Sequence, residues 1–324
     1  MIRPFSLLVK PAGADCNLSC PYCFYRDNPV SGGRRARMDA ALAERVVSSY
    51  LDLPFPEHRV AFQGGEPLLA GEEFFRRVAA AGRGAAFSVQ TNATLVTDSL
   101  ATFFADEGWL VGVSPHGMTK AFREGYDRLV EHGVDVNVLQ LVTKDNIDKP
   151  EELYLSLRDG LGCLHHQYIE CTDPAGFAVT SEGWGAFLTR LFDFWMSEGD
   201  VGKVRIRLFD SIAAQLATGE PEMCQFADDC RHHLVVEADG KVYPCDFFVR
   251  DDMCLGDAGR QTLEEIAASP AYAAFGRQKR GHLDCPRNAH SLDDGYAAFF
   301  AHAVPILHDE IMPRLYGATR SVQS

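Results

Sequence analysis

The chain has 324 residues, 46% of them hydrophobic, and a formal net charge of −14. That length suits one large α/β domain with an appendage or two ordinary domains, and the acidic balance argues against nucleic acid or an anionic membrane as the main partner. No stretch approaches the ~20 apolar residues of a membrane span, and the start, MIRPFSLLVKP, lacks a secretory pattern. A cytoplasmic setting is therefore expected, where ten cysteines point to metal or catalysis before disulfides.

In chain order, PFSLLVK (4–10) reads as a strand followed by a helix near 39–51. HRVAFQ (58–63), AFSVQ (86–90), WLVGV (109–113), VDVNVLQLV (134–142) and HHQYIE (165–170) are the next strands. Helical stretches near 72–81, 97–107, 119–132, 150–159 and 182–198 separate or follow them. Strands alternating with helices imply a parallel sheet, here expected to curl into a partial (β/α)6 TIM-like barrel over residues 1–200. From 201 to 324 the pattern changes. VRIRLFD (204–210) reads as a further extended segment. HHLVVEADGKVYPCDFF reads as a hairpin turning at Asp239-Gly240, and Asp293 to Leu315 as a capping helix that Pro305 should kink or interrupt.

The most informative residues follow the first strand: Cys16, Cys20 and Cys23, spaced C-x3-C-x2-C. Three thiolates this close suit a cubane iron–sulfur cluster, which usually takes four cysteines; a missing fourth ligand leaves one iron open to bind and reduce a small molecule. Zinc is the competing reading of clustered cysteines, but no fourth partner stands nearby. In parallel α/β folds chemistry collects at the carboxyl ends of strands. Gln63-Gly64-Gly65-Glu66-Pro67, Gln90-Thr91-Asn92 and Ser114 fall at the ends of strands two, three and four. Glycines allow close backbone approach to a ligand, and a carboxylate accepts from an ammonium. A second cysteine set is Cys224-x5-Cys230-x14-Cys245 with Cys285 later; structural zinc is its alternative. Cys163, Cys171 and Cys254 have no convincing partners and default to buried thiols. His165-His166 and His232-His233 are neighbours on strands, where side chains alternate faces, so neither pair suits one metal.

The triplet, FQGGEPLL, QTNATLV and HHLVVEADGKVYPCDFFV resemble the radical S-adenosylmethionine enzymes. Within them the chain resembles anaerobic sulfatase-maturating enzymes and their relatives with a twitch or SPASM extension. The resemblance runs from about residue 4 to the C-terminal helix. It implies that Cys16, Cys20 and Cys23 hold a 4Fe–4S cluster whose open iron chelates S-adenosylmethionine, and that Gly64, Gly65 and Glu66 meet the methionyl amino group. Gln90, Asn92 and Ser114 join these as candidate cofactor-binding residues at the same rim. The resemblance implies an auxiliary 4Fe–4S cluster on Cys224, Cys230, Cys245 and Cys285, the last preceding Pro286-Arg287. It implies Asp246 as the base taking the substrate's proton, with the turn-capping carboxylate as the alternative. Tyr25 sits where the family carries an aromatic beside the cluster, and Gln63 is a candidate for positioning substrate.

Two departures matter. GRQKRGHLDCPR lacks the cysteines of the family's second auxiliary cluster, and Asp293 replaces another of them, so two clusters are expected in all. The family's Ser-x-Asp-Gly-Pro after strand four appears as Ser114-Pro115-His116-Gly117-Met118, with the arginine-bearing loop after it shortened almost to nothing. The implied activity is dehydrogenation of a Ser or Cys residue in a peptide or protein, or of a small alcohol, with a flavodoxin- or ferredoxin-type electron donor. A peptide cross-linking enzyme forming a thioether or carbon–carbon bond is the second reading. A zinc-stabilised binding protein is the third.

Overall fold

The computed structural model describes residues 2–25, 36–115, 117–172, 176–279, 285 and 292–313. Two compact units are present, one made of residues 1–136 and 229–278 and the other of 137–228 and 279–324. The strands in chain order are β1 (Ser6–Val9), β2 (Arg59–Phe62), β3 (Ala86–Thr91), β4 (Leu110–Val113), β5 (Asp135–Val142), β6 (His165–Glu170), β7 (Arg205–Ile206), β8 (His233–Val236), β9 (Lys241–Tyr243) and β10 (Gly256–Asp257).

In the first unit β1 to β4 lie parallel and in sequence order. The other edge of β1 is taken by β8, also parallel, in the register Ser6↔His233 to Val9↔Val236. Antiparallel β9 and then β10 follow outward. The hairpin thus extends the sheet of the amino-terminal strand, its turn carried by Gly240 at φ 87°, a conformation glycine adopts without a Cβ clash. Parallel strands are covered on both faces and read as apolar runs. Accordingly Leu7, Val9, Phe62, Val111, Val113, Leu234, Val235 and Val236 are inaccessible to solvent. Trp109 stacks on Phe87 at 4.8 Å and on Phe62 at 5.5 Å. Each such buried side chain contributes ~1.5–3 kcal/mol. Helices Ala40–Leu51, Asp98–Asp106 and Lys120–Glu131 open on Asp39, Thr97 and Thr119, whose side chains accept a backbone amide of the first turn and so satisfy a donor the helix leaves unpaired.

In the second unit β5, β6 and β7 are parallel. Helix Ser181–Ser197 meets helix Asp293–Ile306 where Gly185 and Gly295 face each other: a Cβ on Gly295 would lie 2.1 Å from the Ser181 carbonyl oxygen. Phe299 is fully buried there, as core.

Two expectations are corrected. VRIRLFD is extended only over Arg205–Ile206; Arg207 opens a helix to Thr218, because Leu208, Phe209, Ile212 and Ala213 bury one helical face. The stretch near 150–159 is helical as expected, α-helical to Leu155 and closing in a π-turn, Ser156–Gly160. The last helix runs through Pro305 to Ile306 without a break and then widens into a second π-turn, Leu307–Ile311. Arg314 and Leu315 lie outside the described residues. Among the described residues no helix is long and apolar enough to cross a membrane.

Candidate active site

The site of the first unit is built on the carboxyl ends of its parallel strands. Beyond β1, the chain passes Lys10 and turns through Gly13 to the cysteine loop. Beyond β2, the segment Gln63–Glu66 hydrogen-bonds back onto that loop: the Gln63 amide donates to the Val9 carbonyl at 3.1 Å, Gly65 to Gly13 at 2.8 Å and Glu66 to Asp15 at 2.8 Å. A Cβ on Gly65 would lie 2.1 Å from the Asp15 carbonyl oxygen, and one on Gly64 (φ +127°) 2.5 Å from that of Gly13. Within the chain, then, these glycines admit the cysteine loop against the β2 turn. Glu66 is buried. Its Oε1 accepts from the Leu68 amide at 3.0 Å and the Thr91 hydroxyl at 2.7 Å, and its Oε2 from the Asn92 amide at 2.8 Å. Burial raises its pKa to about 7, against the pull of the Asn92, Leu68 and Thr91 donors. A carboxylate offers about four lone-pair sites, so Glu66 ties the turn after β2 to the end of β3 with two, caps its own turn with a third and keeps one.

Asn92 carries the tie onward. Its side-chain Nδ2 donates to Asn17 Oδ1 at 2.9 Å and to Cys16 Sγ at 3.7 Å, and Cys16 Sγ also accepts from the Leu18 backbone amide at 3.3 Å. Burial pushes the Cys16 thiol pKa up, with the Leu18 amide opposing. Asn17 in turn donates to Thr94 at 2.8 Å, and a cavity of about 290 Å³ beside the loop is lined by Leu18, Cys20, Tyr22, Asn92, Thr94 and Phe122. Gln90 donates to the Ser114 hydroxyl at 2.9 Å, joining the ends of β3 and β4. His116 lies outside the described residues.

A second group gathers around Asp246, in the turn after β9. Tyr25 donates to its Oδ2 at 2.5 Å and Gln63 at 2.7 Å. Lys10, 1% exposed, pairs with Asp246 Oδ1 and, at 3.0 Å, with Glu237 Oε1; its Nζ lies 4.5 Å from the centre of the Tyr25 ring. Burial alone would lower the Lys10 pKa, but Asp246 and Glu237 outweigh it and the net direction is up. Burial raises Glu237, with Lys10 opposing, and burial together with Asp246 holds the Tyr25 phenol well above its ordinary value. Sequence reasoning missed Lys10 and Glu237. The available signal was a single charge closing each of two apolar strands, SLLVK and HLVVE.

The second cysteine set divides between the units. Cys230 and Cys245 belong to the first, Cys230 donating its amide to the Gly276 carbonyl at 3.1 Å. Cys224 opens a 3-10 turn in the second, and Cys285 belongs to the second also; Pro286 and Arg287 lie outside the described residues. Cys163 and Cys171 are buried, whereas Cys254 is exposed, correcting the expectation of a buried thiol. Its Sγ donates to the Gly256 carbonyl at 3.5 Å. His166 is buried and His165 exposed, on opposite faces of β6. Among the described residues no three His, Cys, Asp or Glu side chains are grouped to hold a single metal ion; the thiolates of a cubane each take a different iron and need no common centre. The amide donors aimed at Cys16 Sγ suit a cluster-bound thiolate, since hydrogen bonds to sulfur set cluster potential.

Residues 11–144 match the radical SAM superfamily, and residues 224–287 match SPASM, an iron–sulfur cluster-binding domain. Fold and matches together define a radical S-adenosylmethionine enzyme: a partial TIM barrel with a SPASM extension, whose cofactors are S-adenosylmethionine and 4Fe–4S clusters. A serine-type anaerobic sulfatase-maturating enzyme of Bacteroides thetaiotaomicron is 30% identical over 94% of this chain and 91% of its own. A cysteine-type one of Clostridium perfringens is 32% identical over 81% and 80%. The solved structure of anSMEcpe with bound AdoMet and Cp18Cys peptide superposes with a TM-score of 0.84 at 29% identity, covering 95% of this chain and 98% of that one. The chain belongs to the family of anaerobic sulfatase-maturating enzymes.

Proposed function

We propose that the chain dehydrogenates a serine or cysteine residue of a peptide or protein, with Asp246 as base. The observation that carries this is the Asp246 carboxylate, adjacent in sequence to Cys245 and held by Tyr25, Gln63 and Lys10. Support comes from the serine-type and cysteine-type relatives and from a neighbour solved with a bound peptide. When bound, S-adenosylmethionine on a reduced cluster supplies the radical chemistry that removes a hydrogen atom from the substrate carbon. Asp246 takes the proton of the adjacent hydroxyl or thiol, and an auxiliary cluster held by Cys224, Cys230, Cys245 and Cys285 would supply the acceptor for the remaining electron. One hydrogen atom, one proton and one electron are then lost, and a carbon–oxygen or carbon–sulfur double bond forms. Proton transfer of this kind is worth typically about 10²–10⁴-fold in rate.

In this reading Cys16, Cys20 and Cys23 hold the first cluster, and Cys224, Cys230, Cys245 and Cys285 the auxiliary one. The iron–sulfur match begins at Cys224 and ends two residues past Cys285. Gly64, Gly65 and Glu66 shape the turn that meets the methionyl group, and Gln90, Asn92 and Ser114 line the same rim. Residues 1–200 serve as the barrel and 201–324 as the extension. A cytoplasmic setting and a flavodoxin- or ferredoxin-type donor complete the proposal, both suited to reduced clusters and unpaired thiols.

The test is anaerobic reconstitution with iron, sulfide and zinc analysis, followed by incubation with S-adenosylmethionine and serine- or cysteine-containing peptides. About eight irons are expected from two four-iron clusters, with 5′-deoxyadenosine and a hydrazide-reactive carbonyl in the peptide. A cross-linked peptide without a carbonyl, turnover of a small alcohol instead, or a colourless zinc protein would each replace this reading.

A further inference from the structure

Lys10 is among the most buried side chains of the molecule, and it is a charged one. The idealised cost of taking an ammonium out of water is very large, and in real proteins it still amounts to several kcal/mol per ion. Here it is offset by two carboxylates reached from one point: Glu237 Oε1 at 3.0 Å and Asp246 Oδ1. The arrangement is anchored in the backbone. The Lys10 amide donates to the Val236 carbonyl at 2.9 Å, and the pairing Val9↔Val236 brings the next residues, Lys10 and Glu237, level across the two strands.

The contacts to Asp246 are divided by oxygen. Oδ1 faces Lys10, while Oδ2 receives both the Tyr25 hydroxyl and the Gln63 amide. Tyr25 and Gln63 alone would leave the carboxylate free to pivot about that shared oxygen. Lys10, gripping the other, fixes its plane. Among the described residues the Glu237 carboxylate pairs with Lys10 and makes no hydrogen bond to Tyr25 or Gln63. Glu237 is thus the anchor of the residue that holds Asp246. Replacing a buried ion pair by neutral groups is often neutral for stability, so stability alone does not account for a lysine at this place.

We propose that Lys10, anchored by Glu237, is a positioning residue that fixes the orientation of the Asp246 carboxylate for proton removal; this rests on the reading of Asp246 as base. A displacement on the order of 1 Å in such a group can cost 10²-fold. The experiment uses the reconstituted enzyme and a peptide it oxidises, and reads carbonyl formed per 5′-deoxyadenosine released, beside iron content. The variants are Lys10→Met, Asp246→Asn and the double change Lys10→Met with Glu237→Gln. The double change removes one charge of each sign and so leaves the net buried charge unchanged where the single variant fails to fold. The expected result is a fall of about tenfold to a hundredfold in carbonyl per 5′-deoxyadenosine for both Lys10 variants that fold, in the same direction as Asp246→Asn. A ratio unchanged in the double variant while Asp246→Asn lowers it would overturn the role of Lys10 and leave the base reading standing. Product and 5′-deoxyadenosine falling together would also overturn it, making Lys10 a structural residue. An unchanged ratio in Asp246→Asn would overturn the base reading, and the positioning role with it.

Discussion

The first unit buries a polar cluster around Lys10, and the second buries one around Tyr154. In the second, Arg158 bonds Asp159, Glu198 and Asp200 at 2.6–2.9 Å, but all four side chains keep some contact with water. What goes into the core is neutral: Tyr154 donating to Asp200 at 2.5 Å, His166 edge-on to the Tyr154 ring, and Tyr168 bonded to His166 Nδ1 at 3.2 Å. In the first unit the charges themselves are buried, with Lys10 and Glu237 each 1% exposed. Charges left at the surface cost little and let a network stabilise its unit. Charges buried at strand ends cost several kcal/mol and concentrate where chemistry is arranged. With Asp246 as the proposed base, the difference would separate a structural network from a functional one.

The largest test of that contrast is removal of the first cysteine set. Cys16→Ala with Cys20→Ala and Cys23→Ala should abolish cleavage of S-adenosylmethionine while about four irons remain on the auxiliary set. Iron analysis checks it, and eight irons in the variant would refute the two-cluster count. Next in size is the acid response of the second unit. Burial lowers the His166 pKa from 6.5 to about 4, against the Cys163 carbonyl that favours the charged ring. The folded form is neutral where the unfolded chain takes up a proton. The stability is therefore complete above pH 6.5 and lost progressively as pH falls toward 4, by up to about 3 kcal/mol. Urea unfolding at pH 5 and 7 should show a smaller difference in His166→Gln than in the parent; an equal difference would place the effect elsewhere. The smallest is Gly65→Ala, whose methyl group meets the Asp15 carbonyl at 2.1 Å. Backbone must shift, at a cost of about 1–3 kcal/mol. Looser S-adenosylmethionine binding, read by equilibrium dialysis, is expected with the fold retained; unchanged affinity would show that the cysteine loop tolerates the shift.

Much of this was legible in the chain because the signals are local. The strand HHQYIE appears with the bounds its alternation gives, and the polar motifs fall at strand ends because short apolar runs ended there. Helix Arg207–Thr218 was not legible at its start, where VRIRLF alternates with the period of a strand while Leu208, Phe209 and Ile212 carry the period of a helix. The near neighbours of Gly64 and Gly65 were not legible for a different reason. A glycine shows that something comes close, and only the fold shows that the near side is the loop of Gly13 to Asp15. Lys10 and Glu237 are 227 positions apart, and nothing but the pairing of β1 with β8 brings them together.

That pairing also bears on how the protein is made. Strand β1 leaves the ribosome well before β8, and one of its edges waits for residues 233–236. Until they emerge, Lys10 has neither Glu237 nor Asp246 to receive it, and a contact this distant in sequence is among the slowest kind to close. A nascent chain can hold its first three cysteines long before it can seat the lysine beside them. Closure around the lysine is thereby deferred until residues 237–246 have emerged.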